Sequence, residues 1–333
     1  MTFLYLTEQG AVLKKTGQRL IVEKDDQKLL DIPAAKIEGV MIFGNVQFTT
    51  QAVQLLLRKG VELALFSRSG RLLGQLTDPA TKNIDLRKAQ FKRHGEKDFV
   101  EALARRLVDA KLANCLEFVK QFGHNHPDTA LDEETEELEA LRPHVDRAME
   151  LSTLLGLEGS AARVYFQAFA KMIRHGFSFT GRRRRPATDP VNALLSLGYT
   201  MVYNEIASLL DGMGFDPYLG YYHQPRYGHA TLASDLLEEF RTPLVDRFTL
   251  KIINNRVFQE SDFYLHQPSG AYYLTDAARK QYFADYEQFI SQPTACAKDE
   301  TETTFRRLFR RQAERLKKAV IDNTMYQPFI FKW

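Results

Sequence analysis

Val61-Glu62-Leu63-Ala64-Leu65-Phe66-Ser67-Arg68-Ser69-Gly70-Arg71-Leu72-Leu73-Gly74-Gln75-Leu76-Thr77-Asp78-Pro79 decides the fold. Its apolar runs, 61–66 and 71–76, read as strands joined by a turn at Ser69-Gly70. Thr77-Asp78-Pro79 ends that texture, and from Leu86 onward helical spacing dominates. Before this stretch, Phe3-Leu4-Tyr5-Leu6, Arg19-Leu20-Ile21-Val22 and Val40-Met41-Ile42-Phe43 are further strand runs, punctuated by Gly10, Gly17, Asp25-Asp26 and Pro33. One helix interrupts them, with Thr50 as its cap, Val53, Leu56 and Leu57 as its apolar stripe, and Gly60 as its stop. Beyond the stretch, Phe99, Leu103, Leu107, Ala110 and Asn114 recur at spacings of three and four. The expected fold class is α+β: a small N-terminal β-rich domain at 1–80, a linker near 77–86, and a larger all-α domain at 86–333.

The 333-residue length gives about two domains at roughly 100–200 residues each. A 44% hydrophobic and 26% charged composition excludes disorder for most of the chain. No run of about 18 apolar residues exists, so no membrane-spanning helix and no membrane association is expected. The first residues lack the basic-then-apolar pattern of a signal peptide. Cys115 and Cys296 make neither a disulfide framework nor a zinc site, and fit a reducing cytoplasm. The net charge of +3 is too mild to identify a nucleic-acid-binding protein, so the distribution of charge matters more. The acidic stretch 131–150, interrupted by Pro143, reads as a solvated face that repels phosphate.

Three segments carry residues suited to chemistry. Gly156-Leu157-Glu158-Gly159-Ser160 is expected to open a helix whose stripe is Val164, Tyr165, Ala168, Phe169, Met172 and Ile173. Glu158 then sits at a helix start, where the dipole favours a carboxylate. Arg182-Arg183-Arg184-Arg185-Pro186 leads to Asp189-Pro190, a helix cap followed by a first-turn proline. Arginine forks suit phosphate oxygens, although a solvated loop explains the run equally well. His223 lies in the Gly- and Pro-bounded loop Gly220-Tyr221-Tyr222-His223-Gln224-Pro225-Arg226-Tyr227-Gly228. A helix over 231–241, stopped near Pro243, puts Asp235 and Glu238 on one face and Leu232, Leu236, Leu237 and Phe240 toward the core. Taken singly, each of these residues also has a purely structural reading.

Together they resemble the CRISPR-associated endonuclease of spacer acquisition, the integrase subunit found across CRISPR adaptation systems. The likeness is carried by Leu157-Glu158-Gly159, Ala162-Arg163-Val164-Tyr165-Phe166, Arg184-Arg185-Pro186, Asp189-Pro190-Val191-Asn192-Ala193-Leu194-Leu195, Gly198-Tyr199, Gly214-Phe215-Asp216-Pro217, Gly220, His223 and Ser234-Asp235-Leu236-Leu237-Glu238-Glu239-Phe240-Arg241. It is specific over about 155–245. The resemblance implies a catalytic helical domain in which Glu158, His223 and Glu238 bind a divalent metal, with Asp235 beside it. Some relatives carry Asp where this chain has Glu238, one methylene longer. It also implies a homodimer formed through the β-rich domain, a small ferredoxin-like partner protein, and joining of short double-stranded DNA fragments into a repeat array.

The residue types fit that chemistry independently. Two carboxylates and an imidazole suit manganese or magnesium better than a closed zinc site. Such a site can serve hydrolysis or attack by a DNA 3′-hydroxyl. A non-catalytic DNA-binding scaffold and a repair nuclease without integration activity are the competing functions. A rival metal cluster, His124, His126 and Asp128, lies on a turn without further ligands, and His175 is expected at a helix end. The C-terminal helix carries a buried stripe of Phe305, Leu308, Phe309, Leu316, Ala319 and Val320. Its other faces are crowded with cations, and Arg310 and Arg311, with Arg184 and Arg185, are the expected phosphate contacts. Glu238 and Glu239 diverge by about 100° on a helix. The motif selects Glu238, set opposite the core side, and leaves Glu239 with little expected effect. The apolar end, Phe329-Ile330-Phe331-Lys332-Trp333, is expected to dock on the body or on a partner.

Overall fold

The structure is a computed structural model and describes residues 2–68, 70, 72–76, 83–183, 185–294 and 303–332. The chain opens with β1 (Thr2–Leu6), β2 (Val12–Thr16), β3 (Arg19–Lys24) and β4 (Gln27–Pro33). Asp25 and Asp26 both hold positive φ, 49° and 60°. That mirror-image turn matches the twist of the strands it joins and fixes the β3–β4 hairpin. β5 (Ile37–Phe43), β6 (Gln47–Phe48), helix α1 (Thr50–Arg58), β7 (Glu62–Phe66) and β8 (Leu72–Leu76) follow. Two four-stranded sheets result, ordered β1-β5-β7-β8 and β4-β3-β2-β6. Leu13, Leu20, Val40, Ile42, Leu55, Leu56 and Leu63 share one core. The cap of α1 is Thr49, one residue before the expected Thr50, and its hydroxyl accepts from Ala52 N at 3.3 Å. The buried face is consequently Ala52, Leu55 and Leu56, with Val53 and Leu57 at its margins.

The second part contains α2 (Ile84–His94), α3 (Lys97–Asn125), α4 (Asp132–Arg147), α5 (Leu151–Met172), α6 (Pro190–Met213), α7 (Thr231–Leu237) and α8 (Arg247–Asn254). A hairpin of β9 (Phe263–His266) and β10 (Ala271–Leu274) comes next, then α9 (Asp276–Ser291) and α10 (Phe305–Asp322). The hairpin interrupts a region that sequence periodicity assigns wholly to helix. Pro143 lies inside α4 without breaking it. The helix expected over 231–241 ends at Leu237, before Pro243, and Pro243 itself lies in Arg241–Asp246, a π-helical turn running directly into α8. That wider register loosens the i→i−4 ladder which a proline disrupts.

The described residues up to 76, with Asp276–Glu287, form one compact unit, and those from 83 to Thr275 and from Gln288 onward form the other. The sequence reading places 276–287 in the helical domain. In the structure Phe283 packs on Phe43 and Tyr5, with centroids 4.5 and 5.2 Å apart. Glu8 pairs with both Lys24 and Lys280. No helix among the described residues is long and apolar enough to cross a membrane.

Candidate active site in the helical unit

Glu158 is the eighth residue of α5, which starts at Leu151, so it is not at a helix start. The glycines at 156 and 159 do not break a helix held by packing on α3 and α4. The dipole therefore does not explain this carboxylate. Its partner is Lys111 of α3, whose ammonium hydrogen-bonds Glu158 Oε1 and lies 2.6 Å from Glu238 Oε2. Burial works against charge on Lys111, but Glu238 and Glu158 outweigh it and raise its pKa above the ordinary lysine value.

Glu238 directly follows α7 and is only 3% exposed, so it does not lie on the solvent side as the sequence suggests. All of 231–240 is buried, because α7 is covered on every side. Burial alone would raise the Glu238 pKa. The charges of Arg241, Lys111 and His223 reverse that and hold it far below the usual carboxylate range. Arg241 Nε is 3.0 Å from Glu238 Oε1, and its guanidinium sits 4.8 Å above the Tyr199 ring. Tyr199 and Tyr165 both donate to Asp246, which is fully buried, and Thr242 donates to it at 3.2 Å.

Asp235 uses both oxygens on the His223 loop. Its Oδ2 accepts from Tyr221 N at 2.6 Å and Tyr222 N at 3.1 Å. Its Oδ1 accepts from His223 N at 2.9 Å and faces His223 Nδ1 at 2.8 Å. A Cβ at Gly220 would stand 2.8 Å from Asp235 Oδ2, so only glycine allows this approach. With Nδ1–H held by a carboxylate, the neutral ring presents the Nε2 lone pair, the arrangement that orients metal-binding histidines. His223 Nε2 is 3.7 Å from Glu238 Oε1. Burial opposes charging of His223, but the Asp235 hydrogen bond and the Glu238 charge prevail and raise its pKa.

The sequence-predicted residues thus meet in one place, though through an ammonium. Among the described residues no three His, Cys, Asp or Glu side chains are gathered closely enough to hold a metal ion. Lys111 stands between Glu158 and Glu238, and a cation in that position marks where two carboxylates attract positive charge. The donor set of two carboxylates and an oriented imidazole nitrogen fits manganese or magnesium. Asp235 is a positioning residue in this arrangement.

The remaining candidates separate. Arg182 donates to Asn192 Oδ1 at 2.7 Å and to Ser196, which ties it to α6. Arg185 is exposed, and Arg184 lies outside the described residues. On α10, Arg310 is exposed and Arg311 partly buried, whereas Arg306 pairs with the buried Glu205. The rival cluster is occupied by an arginine: Arg174 contacts His126 Nδ1 at 2.6 Å and Asp128 at 3.0 Å. His175 lies past the end of α5, 3.2 Å from Arg256. Cys115 is buried and free, and Cys296 lies outside the described residues.

Glu239 departs most from expectation. It is fully buried and accepts from Gln312 Nε2 at 2.8 Å, Tyr326 OH at 2.5 Å and Phe329 N at 2.5 Å. Asn114 adds a bridge: it donates to Glu239 O and Phe329 O and accepts from Phe331 N at 2.8 Å. The C-terminal segment therefore docks within the helical unit, beside the turn that carries Glu238. Sequence reasoning misses Lys111, Arg241 and Asp246. The available signal is a lysine and an asparagine, Lys111 and Asn114, three apart on an otherwise apolar stripe.

A family model described as CRISPR associated protein Cas1 matches residues 4–288. The "CRISPR-associated endonuclease Cas1 3" of Thermus thermophilus is 38% identical over 262 residues, covering 78% of this chain and 76% of that protein. The "CRISPR-associated exonuclease Cas4/endonuclease Cas1 fusion" of Geobacter sulfurreducens is 35% identical over 321 residues, 94% of this chain and 57% of the fusion. Among solved structures, a chain of a "Cas6-RT-Cas1--Cas2 complex" superposes with a TM-score of 0.82 at 31% identity, over 99% of this chain and 36% of that one. The chain thus spans little more than half of the fusion and about a third of the chain in that complex.

Proposed function

Because the chain belongs to the Cas1 family of CRISPR-associated proteins, we propose that it is a metal-dependent DNA endonuclease and integrase that inserts short DNA fragments into a CRISPR repeat array. The observation that carries this reading is the pairing of Glu158 and Glu238 on one buried cation, with His223 Nε2 3.7 Å from Glu238 Oε1 and Asp235 holding His223 Nδ1. Glu158, Glu238 and His223 Nε2 would hold manganese or magnesium. A metal held there would supply polarisation of a phosphodiester and activation of the attacking oxygen, whether from water or a DNA 3′-hydroxyl.

The chain's own residues supply the rest. Asp235 holds the imidazole through Nδ1 and so aims Nε2 toward Glu238. Arg241 keeps Glu238 ionised in a buried setting, and Tyr199 supports the guanidinium from below. Arg185, Arg310 and Arg311, with Arg184, hold DNA phosphates, which positions the duplex without reading bases. The active form is a homodimer paired through the β-rich unit, with a small ferredoxin-like partner protein and double-stranded DNA, in the cytoplasm. The solved complex that contains Cas1 and Cas2 supports the partner reading.

Purified protein, fluorescent DNA with free 3′ ends and a supercoiled repeat plasmid, incubated with manganese or magnesium, test the proposal. Joined product is expected. Cut product alone would indicate a nuclease without integration activity, and bound but unaltered DNA would indicate a scaffold.

A further inference from the structure

We propose that Lys111 is the resident cation of this centre: its ammonium competes with the divalent ion for Glu158 and Glu238, and metal loading displaces it. This rests on the metal reading of the site given above. Two carboxylates from different elements, Glu158 on α5 and Glu238 past α7, converge on one nitrogen atom of α3. Both oxygens that would face a metal, Glu158 Oε1 and Glu238 Oε2, are the ones facing Nζ. A divalent ion needs those oxygens at about 2.0–2.2 Å. Ammonium and metal cannot both use them.

The charge balance points the same way. Glu158, Asp235 and Glu238 bring three negative charges, and Lys111 and Arg241 bring two positive ones. With Arg241 already counted, the ammonium halves the remaining negative charge that would otherwise draw a divalent ion, and it keeps the buried Glu238 and the partly buried Glu158 paired while no ion is bound. The Lys111 side chain has somewhere to go. A cavity lined by Lys111, Cys115, Tyr165, Tyr199, Arg241 and Asp246 adjoins it. Asp246 in its lining already accepts from Tyr165, Tyr199 and Thr242, so the space offers the aliphatic stem of Lys111 room to swing away from the carboxylates. Lys111 thus sets a threshold: the site loads only where metal concentration, or DNA phosphate that shares the ion, outweighs the internal pair.

Manganese binding by the full chain, followed by the loss of the free-ion electron paramagnetic resonance signal, tests this directly. Lys111→Met should bind manganese at least tenfold more tightly than wild type, melt at a lower temperature without metal, and recover on adding manganese. Lys111→Arg keeps the charge and should bind as weakly as wild type. If Lys111→Met does not fold, Lys111→Gln carries the same expectation. Equal or weaker manganese binding by a folded, uncharged variant overturns the competition while leaving the metal site intact. Absence of manganese binding by wild type and variant alike overturns the metal reading and this inference with it.

Discussion

Glu239 Oε2 accepts the backbone N–H of Phe329, 90 residues later in the chain, at 2.5 Å. The adjacent Glu238 faces the opposite way, toward Lys111 and Arg241. One dipeptide therefore ties the C-terminal segment to the carboxylate cluster. The roughly 100° turn between successive residues makes this division possible.

Glu239→Ala should consequently be among the more damaging single changes. It leaves Tyr326 OH, Gln312 Nε2 and Phe329 N–H buried without their acceptor, at a cost of about 2–4 kcal/mol. Glu239→Gln keeps one acceptor oxygen and should cost less. Thermal melting of both variants against wild type checks this, and a change below about 0.5 kcal/mol for Glu239→Ala would remove the tail clasp from the account.

Asp235→Asn preserves size but places an amide where backbone N–H groups of Tyr221, Tyr222 and His223 converge. One donor then faces another donor. Manganese affinity should fall by about 10–100-fold, the usual effect of losing a carboxylate that orients a metal-binding histidine. A manganese titration monitored alongside circular dichroism separates lost orientation from lost fold. Unchanged affinity in a folded Asp235→Asn protein would mean that the loop orients His223 without it.

Much of this is legible in the sequence. Short apolar runs rich in β-formers mark β1, β3, β5, β7 and β8, and Asp189-Pro190 marks the start of α6, where Asp189 accepts from Asn192 N at 2.8 Å. The strands β2 and β4 are not legible, because β2 carries Lys14, Lys15 and Thr16 and β4 alternates weakly along an exposed edge. Glu158 reads as a helix-start residue because glycines look like breakers, yet packing keeps them helical. Burial of Glu238 and Glu239 is invisible, since carboxylates on a helix usually face water unless distant cations and donors cover them. Those partners, Lys111, Gln312 and Tyr326, lie far away in sequence and leave no local pattern.

Glu8 offers a test of the assignment of Asp276–Glu287 to the β-rich unit. Hydrogen bonds from Lys24 and Lys280 hold its pKa down to about 2. A carboxylate depressed in the folded state stabilises the fold above its unfolded pKa, and that stabilisation is lost as pH falls from about 4.5 through about 2. These groups are partly exposed, so the contribution should be below about 1 kcal/mol and should shrink with salt. Glu8→Gln should lower stability at pH 7 and match wild type near pH 2. An unchanged difference between the two proteins across that range would contradict the pairing.

The exposed arginines should act on DNA without regard to sequence. Replacing Arg185 and Arg310 with Ala should weaken binding to all duplexes alike. The slope of log affinity against log salt should flatten by about 0.9 for each phosphate that is no longer neutralised. Filter binding at several salt concentrations with unrelated sequences measures both quantities. A loss confined to one sequence would indicate base recognition instead.

Strand transfer by Glu238→Ala, compared with wild type in manganese, decides whether Glu158, His223 and Glu238 form the catalytic centre. The variant removes one carboxylate of the cluster and leaves the arginine surfaces in place. Glu238→Ala should fold and still bind DNA, no longer bind manganese tightly, and yield neither cut nor joined product. A folded Glu238→Ala protein that joins DNA into the repeat plasmid at the wild-type rate would contradict the assignment of this centre.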